Sequence, residues 1–232
     1  MREDRKMNFE VIDNPEENSL SQKMTVNTKN VDSIKITEIL YDYYDQHFDF
    51  VLFYFSYNDV NHKKLIELIS DYREKWATCL IGCISTEESI DYSSIGFDMY
   101  LDGASENDFK NLEDFCISTE NGTYHHIEPL DFFCKKSTEI KIVSECSTGI
   151  ENLVHLLGQK IKQISELADT KFTKFALSIM TNGYDPLLSD IQKIWDTVST
   201  YATEDFDFFW NCAENVQKLS ADEIKVIVIL YL

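Results

Sequence analysis

The sequence predicts an α/β protein in two parts: a partial parallel sheet in the first half, and a second sheet carrying two helices in the second half. Three observations point that way. Apolar runs such as "FDFVLFYFS" (48–56) and "EIKVIVILY" (223–231) lack the polar alternation of a half-exposed strand, so each needs cover on both faces. Between such runs lie segments with apolar residues at helical spacing. Apolar residues make up 44% of the chain and aromatics 13%, enough for a packed core and too many for wholesale disorder.

Residues 1–33 are polar and read as a flexible arm, with one edge strand around Phe9 to Ile12. "VDSIKITEILYDYYDQH" follows, with Ile36, Ile39, Leu40, Tyr43 and Tyr44 at helical spacing and Asp32 or Ser33 as N-cap, so it reads as a helix. The strand 48–56 comes next. "NHKKLIELISDYREKW" places Leu65, Ile66, Ile69, Tyr72 and Trp76 on one helical face. "ATCLIGCIS" (77–85) is a second buried strand and completes a right-handed βαβ unit. "GFDMYLDG" (96–103) is a short strand, and "SENDFKNLEDFC" a helix opened by the capping pattern Ser105 to Asp108.

The second half repeats the alternation. "EIKIVSEC" (139–146) reads as a strand, and a helix from about Gly149 to Leu167 carries Ile150, Leu153, Val154, Leu157, Ile161 and Ile164 on one face. "KFALSIMTNG" (174–183) is a strand ended by Asn182-Gly183. Pro186 stands in the first turn of the next helix, where its missing N–H costs nothing. "FDFFWNCA" (206–213) and "EIKVIVILY" close the set. The final run does not alternate, so it belongs inside the second sheet, between other strands.

The net charge of −20 argues against nucleic acid and anionic membranes as partners, because both would repel the chain. A basic protein partner fits it. No run of eighteen or more apolar residues occurs, and the start lacks a secretory stretch, so a cytoplasmic protein is expected. The six cysteines then read as buried thiols.

Residues 139–232 resemble the C-terminal domain of the tubulin/FtsZ superfamily. In that family a "G-G-x-x-L-x-L" turn opens a helix, a strand ending "-I-F-G" follows, and a last strand reads "D-E-I-x-V-T-V-I-A-T". "FALSIMTNGYDPLLSDIQKIWDTV", "DFDFFWNCAEN" and "ADEIKVIVILYL" are similar to these in turn, and "IKIVSECSTGIENLVHLLGQKIKQI" to the preceding strand and helix. The resemblance implies three segments: the arm 1–33, a degenerate GTPase-like α/β domain at 34–135, and an FtsZ C-terminal-like domain at 136–232.

Where the family's GTPase domain carries the phosphate loop "G-G-G-T-G-[TS]-G", this chain reads "FYFSYNDVNHKK" without a glycine. Tyr57 and Asp59 there would obstruct a phosphate and repel it. The family's first strands with their glycine loop, and its "N-x-D-x-x-D" loop, have no counterpart. The resemblance therefore implies the frame of the family without its chemistry: a non-catalytic protein that binds other proteins in a division or cytoskeletal setting, as a monomer or small oligomer.

The alternative is a small-molecule sensor or enzyme. Its pocket would lie at the carboxyl ends of the first-half strands, where α/β sheets bind ligands. The candidate lining is Ser56, Asn58, Asp59, Ser85, Thr86 and Glu87. No catalytic residue, cofactor or metal is expected. G-x-S-x-G, H-E-x-x-H and G-x-G-x-x-G are all missing from the sequence. Cys79 and Cys83 share a strand face about 13 Å apart at about 3.3 Å per residue, too far to chelate one ion. His125-His126, near Cys116 and Cys134, reads as a polar loop, and "YDYYDQHFDF" as the end of an amphipathic helix.

Overall fold

The structure, a computed structural model, describes residues 23–43, 46–75, 77–86, 92, 95–121, 124–125, 133, 138–183, 186–214 and 216–232. Its elements in chain order are β1 (Lys23–Val31), β2 (Ile34–Tyr43), β3 (Gln46–Ser56), α1 (His62–Lys75), β4 (Ala77–Ser85), β5 (Met99–Asp102) and α2 (Glu106–Asn121). There follow β6 (Tyr124–His125), β7 (Thr138–Ser147), α3 (Ile150–Ala168), β8 (Phe172–Thr181), α4 (Leu188–Ser199), β9 (Ala202–Ala213) and β10 (Ile224–Tyr231). The strands lie in the order β1-β2-β3-β4-β5-β7-β10-β8-β9-β6. The class is α/β, and the expected halves share one sheet: Met99 pairs with Thr138 and Tyr100 with Glu139, joining β5 to β7 in parallel.

The helix expected from "VDSIKITEILYDYYDQH" is instead the far arm of a β-hairpin. β1 and β2 pair antiparallel about Asp32, whose φ of 51° makes the turn. Ile34 and Ile36 face one side of the sheet and Ile39 the other, because both sides are covered here. Two-sided burial removes the period of two, and the remaining spacing imitates a helix. Residues 23–31 of the expected flexible arm are thus a strand, while the strand expected around Phe9 to Ile12 lies outside the described residues. "YDYYDQHFDF" likewise ends β2 and begins β3 rather than ending a helix.

Further departures are local. Ile66 is 47% exposed, so α1 buries Leu65 and Ile69, with Tyr72 half-buried; Trp76 lies outside the described residues. Pro186 stands before the N-cap, Leu187, and not inside the first turn of α4. In the second half the sequence reading holds. β10 runs between β7 and β8, and every residue from Val226 to Tyr231 is buried. α3 and α4 pack on one face of that half, with Leu153, Leu157, Ile161, Ile194 and Val198 in the same core.

α2 takes the opposite face and serves both halves. Lys35 on β2 lies over the Phe109 ring at 4.7 Å, and the Thr37 hydroxyl donates to Glu113 at 2.5 Å. Near the other end, Ser118 and Ser178 of β8 share a hydrogen bond of 2.6 Å. The ring of Phe133 lies 5.5 Å from Phe50 on β3 and 5.1 Å from Phe209 on β9. Six strand spacings, roughly 29 Å in a flat sheet at about 4.8 Å each, separate those strands. The sheet must therefore curl around α2, with Phe133 closing the enclosed core.

One ion pair ties α2 to the second half. Asp114 accepts from Lys225 on β10 at 2.8 Å and from Lys218 at 3.0 Å. Burial alone would raise the Asp114 carboxyl, but the two ammonium groups outweigh it and hold it below its ordinary value. The linkage follows from that sign. The stability this group adds is present above the unfolded carboxylate value, about 3.9, and is lost as pH falls through the lowered folded value. In urea melts from about pH 5 to about pH 2, Asp114→Asn should start less stable than the wild type, and the gap should close on acidification. A gap independent of pH would rule the pair out as its source.

Candidate functional site

The carboxyl ends of β3 and β4 lie side by side, with Ser56 paired in register to Ser85. These are the ends at which an open parallel sheet takes its ligands. The chain leaves β3 in a tight loop that uses its own amides. The Tyr57 N–H donates to the Ser85 carbonyl at 3.1 Å, and the Asp59 N–H to the Ser56 carbonyl at 3.2 Å. Asn61 then caps α1: its side-chain oxygen accepts the Lys64 N–H at 3.2 Å, and its carbonyl the Leu65 N–H at 2.9 Å. A phosphate at this helix N-terminus would have to displace the Asn61 side chain and face Asp59.

Behind the loop the space is aromatic. Tyr92, fully buried, stands 5.7 Å from the Tyr57 ring and 5.3 Å from that of Tyr100, and Tyr57 lies 4.5 Å from His62. The Tyr92 hydroxyl donates to Asp102 Oδ1 at 3.2 Å, at the end of β5. Burial, then the Asp102 carboxylate, push the phenol up, so it remains a neutral donor. The arrangement can hold the three strand ends together by ring packing and one partly buried hydrogen bond.

Of the lining expected from sequence, Ser56 and Ser85 are adjacent and half-buried, and Thr86 follows at the same edge, hydrogen-bonded to Tyr92. Asn58 and Asp59 are exposed on the outer side of the loop, and Glu87 lies outside the described residues. Sequence reasoning missed Tyr92, Tyr100, Asp102 and His62. Tyr100 and Asp102 could have been found, because they sit at the end of a strand that was recognised. Tyr92 follows no periodic segment, and nothing in the sequence marks it as buried.

The other candidates resolve as follows. Cys79 and Cys83 are buried on β4, as expected, and burial pushes the Cys83 thiol far up, ahead of the effect of Asp108 and Glu113. Cys116 and Cys212 are buried as well, but Cys146 is exposed, against the expectation of buried thiols throughout. His125 belongs to β6, paired with Asn211 on β9, and is not in a loop; His126 and Cys134 lie outside the described residues. Among the described residues, no three His, Cys, Asp or Glu side chains gather to hold a metal, and no helix is long and apolar enough to cross a membrane.

No family model and no curated protein matches the chain in sequence. Solved structures do match it in fold. A subunit of the GTPγS-form protofilament of Bacillus thuringiensis serovar israelensis TubZ superposes with a TM-score of 0.54 at 9% identity. That match covers 78% of this chain and 59% of the TubZ chain. FtsZ of M. jannaschii, in an empty dimer, gives 0.44 at 10% identity over 67% of this chain and 55% of that one. The fold assignment rests on the TubZ subunit alone: the architecture is tubulin/FtsZ-like. The chain spans little more than half the length of either protein.

Proposed function

We propose that this chain is a non-catalytic protein on a tubulin/FtsZ-like frame, acting by binding other proteins in a division or cytoskeletal setting. One observation carries the reading. At the carboxyl ends of β3 and β4, the loop amides of Tyr57 and Asp59 and, in the first turn of α1, that of Lys64 already have partners within the chain, the Asn61 side chain among them. A nucleotide's phosphates need such donors unengaged and aimed outward. The aromatic packing of Tyr57, Tyr92 and Tyr100 supports the same conclusion, since it fills the ground behind the loop with side chains. The charge of −20 favours a basic protein as partner, met through complementary surface potential.

Titration with a fluorescent GTP analogue and magnesium tests this. The expected result is no saturable binding at micromolar protein. Micromolar binding abolished by Asn58→Ala or Asp59→Ala would overturn the reading and return the loop to the role of a ligand site. A thermal-shift screen of nucleotides and metabolites separates it from the sensor alternative, for which a ligand must raise the melting temperature of the wild type.

A further inference from the structure

The two ends of the sheet are built differently. β9, flanked at one end only by the two-residue β6, carries exposed Asp205 and Asp207 beyond that short pairing, and its register against β8 jumps between Phe172 and Lys174. Charged side chains, lysine above all, and an irregular register are the usual means of keeping an edge from pairing with another chain. β1, at the other end, has no irregularity, and its only charges are Lys23 and Lys29, outside its central residues. It pairs with β2 over nine residues without a break, and "KMTVNTKNV" contains no carboxylate and no proline. Among the described residues no strand lies on its outer side.

Its side chains are also unusual for a strand. All six from Thr25 to Asn30 are exposed, Val26 by 42%, so neither face is covered over that stretch. Lys29 is drawn onto the neighbouring strand by Glu38 at 2.5 Å, and its ammonium lies 5.3 Å from the Tyr72 ring. The centre of the edge, Thr25 to Thr28, is therefore uncharged. In a chain of net charge −20, this is an edge at which two copies can meet without opposing carboxylates.

We infer that β1 is a homodimer edge: two copies pair β1 to β1 antiparallel about a two-fold axis at Asn27, the middle residue of the strand. That register sets Asn27 opposite its own copy, Val26 opposite Thr28 of the other copy, and Thr25 opposite Lys29. No like charges face each other. The main-chain groups of β1 supply the hydrogen bonds, and the sheet runs on from one subunit into the next. The interface is closed by its symmetry, so it yields a dimer and not a filament. This goes beyond the function proposed above and does not depend on it.

Charge placed on the axis tests the dimer. Directly opposed residues of an antiparallel pair have Cβ atoms about 4.5–5.5 Å apart, so a charge at Asn27 meets its own kind. Asn27 is exposed, and its replacement leaves the core untouched. Sedimentation equilibrium of the full chain should give twice its 27.0 kDa. Asn27→Asp and Asn27→Lys, each alone, should shift to the single mass, and an equal mixture of the two should return to the doubled mass. A wild type that stays at the single mass across the concentration range overturns the inference, and is the outcome expected if the chain's own residues 1–22 or a foreign strand covers this edge. Single variants that dimerise as the wild type does, or a mixture that stays monomeric, also overturn it. None of these outcomes alters the titration with GTP.

Discussion

A chain ending at Asp222 is expected to be unfolded. β10 is an interior strand, flanked by β7 and β8, and its side chains enter both cores: Ile227 and Ile229 on the side of α2, Val226, Val228 and Leu230 on the side of α3 and α4. Fully burying one such side chain stabilises the fold by about 1.5–3 kcal/mol. Five of them come to about 7.5–15 kcal/mol, comparable with the whole stability of a typical domain, about 5–15 kcal/mol. The truncation also strips the hydrogen-bonding neighbour from two other strands at once. Far-ultraviolet circular dichroism and a urea melt of the truncated chain should show no cooperative transition. A soluble truncation that melts cooperatively would show that β10 is not where the structure has it.

Phe133→Ala is the second large effect. The ring is 1% exposed and meets Phe50, Phe115 and Phe209, which come from β3, α2 and β9. Truncating a fully buried phenylalanine costs about 3–5 kcal/mol through lost transfer and the cavity left behind. Most of a typical domain's margin goes with it. The urea midpoint should fall steeply while the fold persists at low temperature. A loss below about 1 kcal/mol would mean that the ring is not enclosed, and with it the curl of the sheet would lose its support.

How much of this was legible in the sequence depends on what each segment faces. β3, β4, β8 and β10 were readable because near-continuous apolar runs leave no alternative to a strand covered on both sides. α3 was readable from its single apolar stripe, Leu153, Leu157 and Ile161. β2 was not. Its Ile34, Ile36 and Ile39 enter two different cores, and a run that serves both faces without being wholly apolar has no period of its own. β1 gave no signal because its exposed stretch faces water on both sides and its order comes from pairing with β2.

The site divides in the same way. The missing glycines at "SYNDVNHKK" were visible at once, since glycine is a property of the sequence. That Asn61 caps α1, and that Tyr92 sits behind the loop, are properties of the folded chain. The Asp98 joint belongs with them: Asp98 receives the Leu80 N–H at 2.8 Å and pairs with Arg73 at 2.8 Å, bridging β4 and α1 across the start of β5. No spacing rule links those three residues.

On the proposed reading, in which this tubulin/FtsZ-like frame holds no nucleotide, the chain should not assemble in response to nucleotide. Its net charge adds to the difficulty, because like-charged subunits repel over a Debye length of about 8 Å at physiological salt. The direct measurement is sedimentation velocity at about 50 and 500 mM salt, with and without GTP and magnesium. The expected result is a particle no larger than a small closed oligomer, unchanged by GTP at either salt. Long filaments that form at low salt and require GTP would contradict it, and would mean that the chain holds a nucleotide despite the engaged amides of Tyr57 and Asp59.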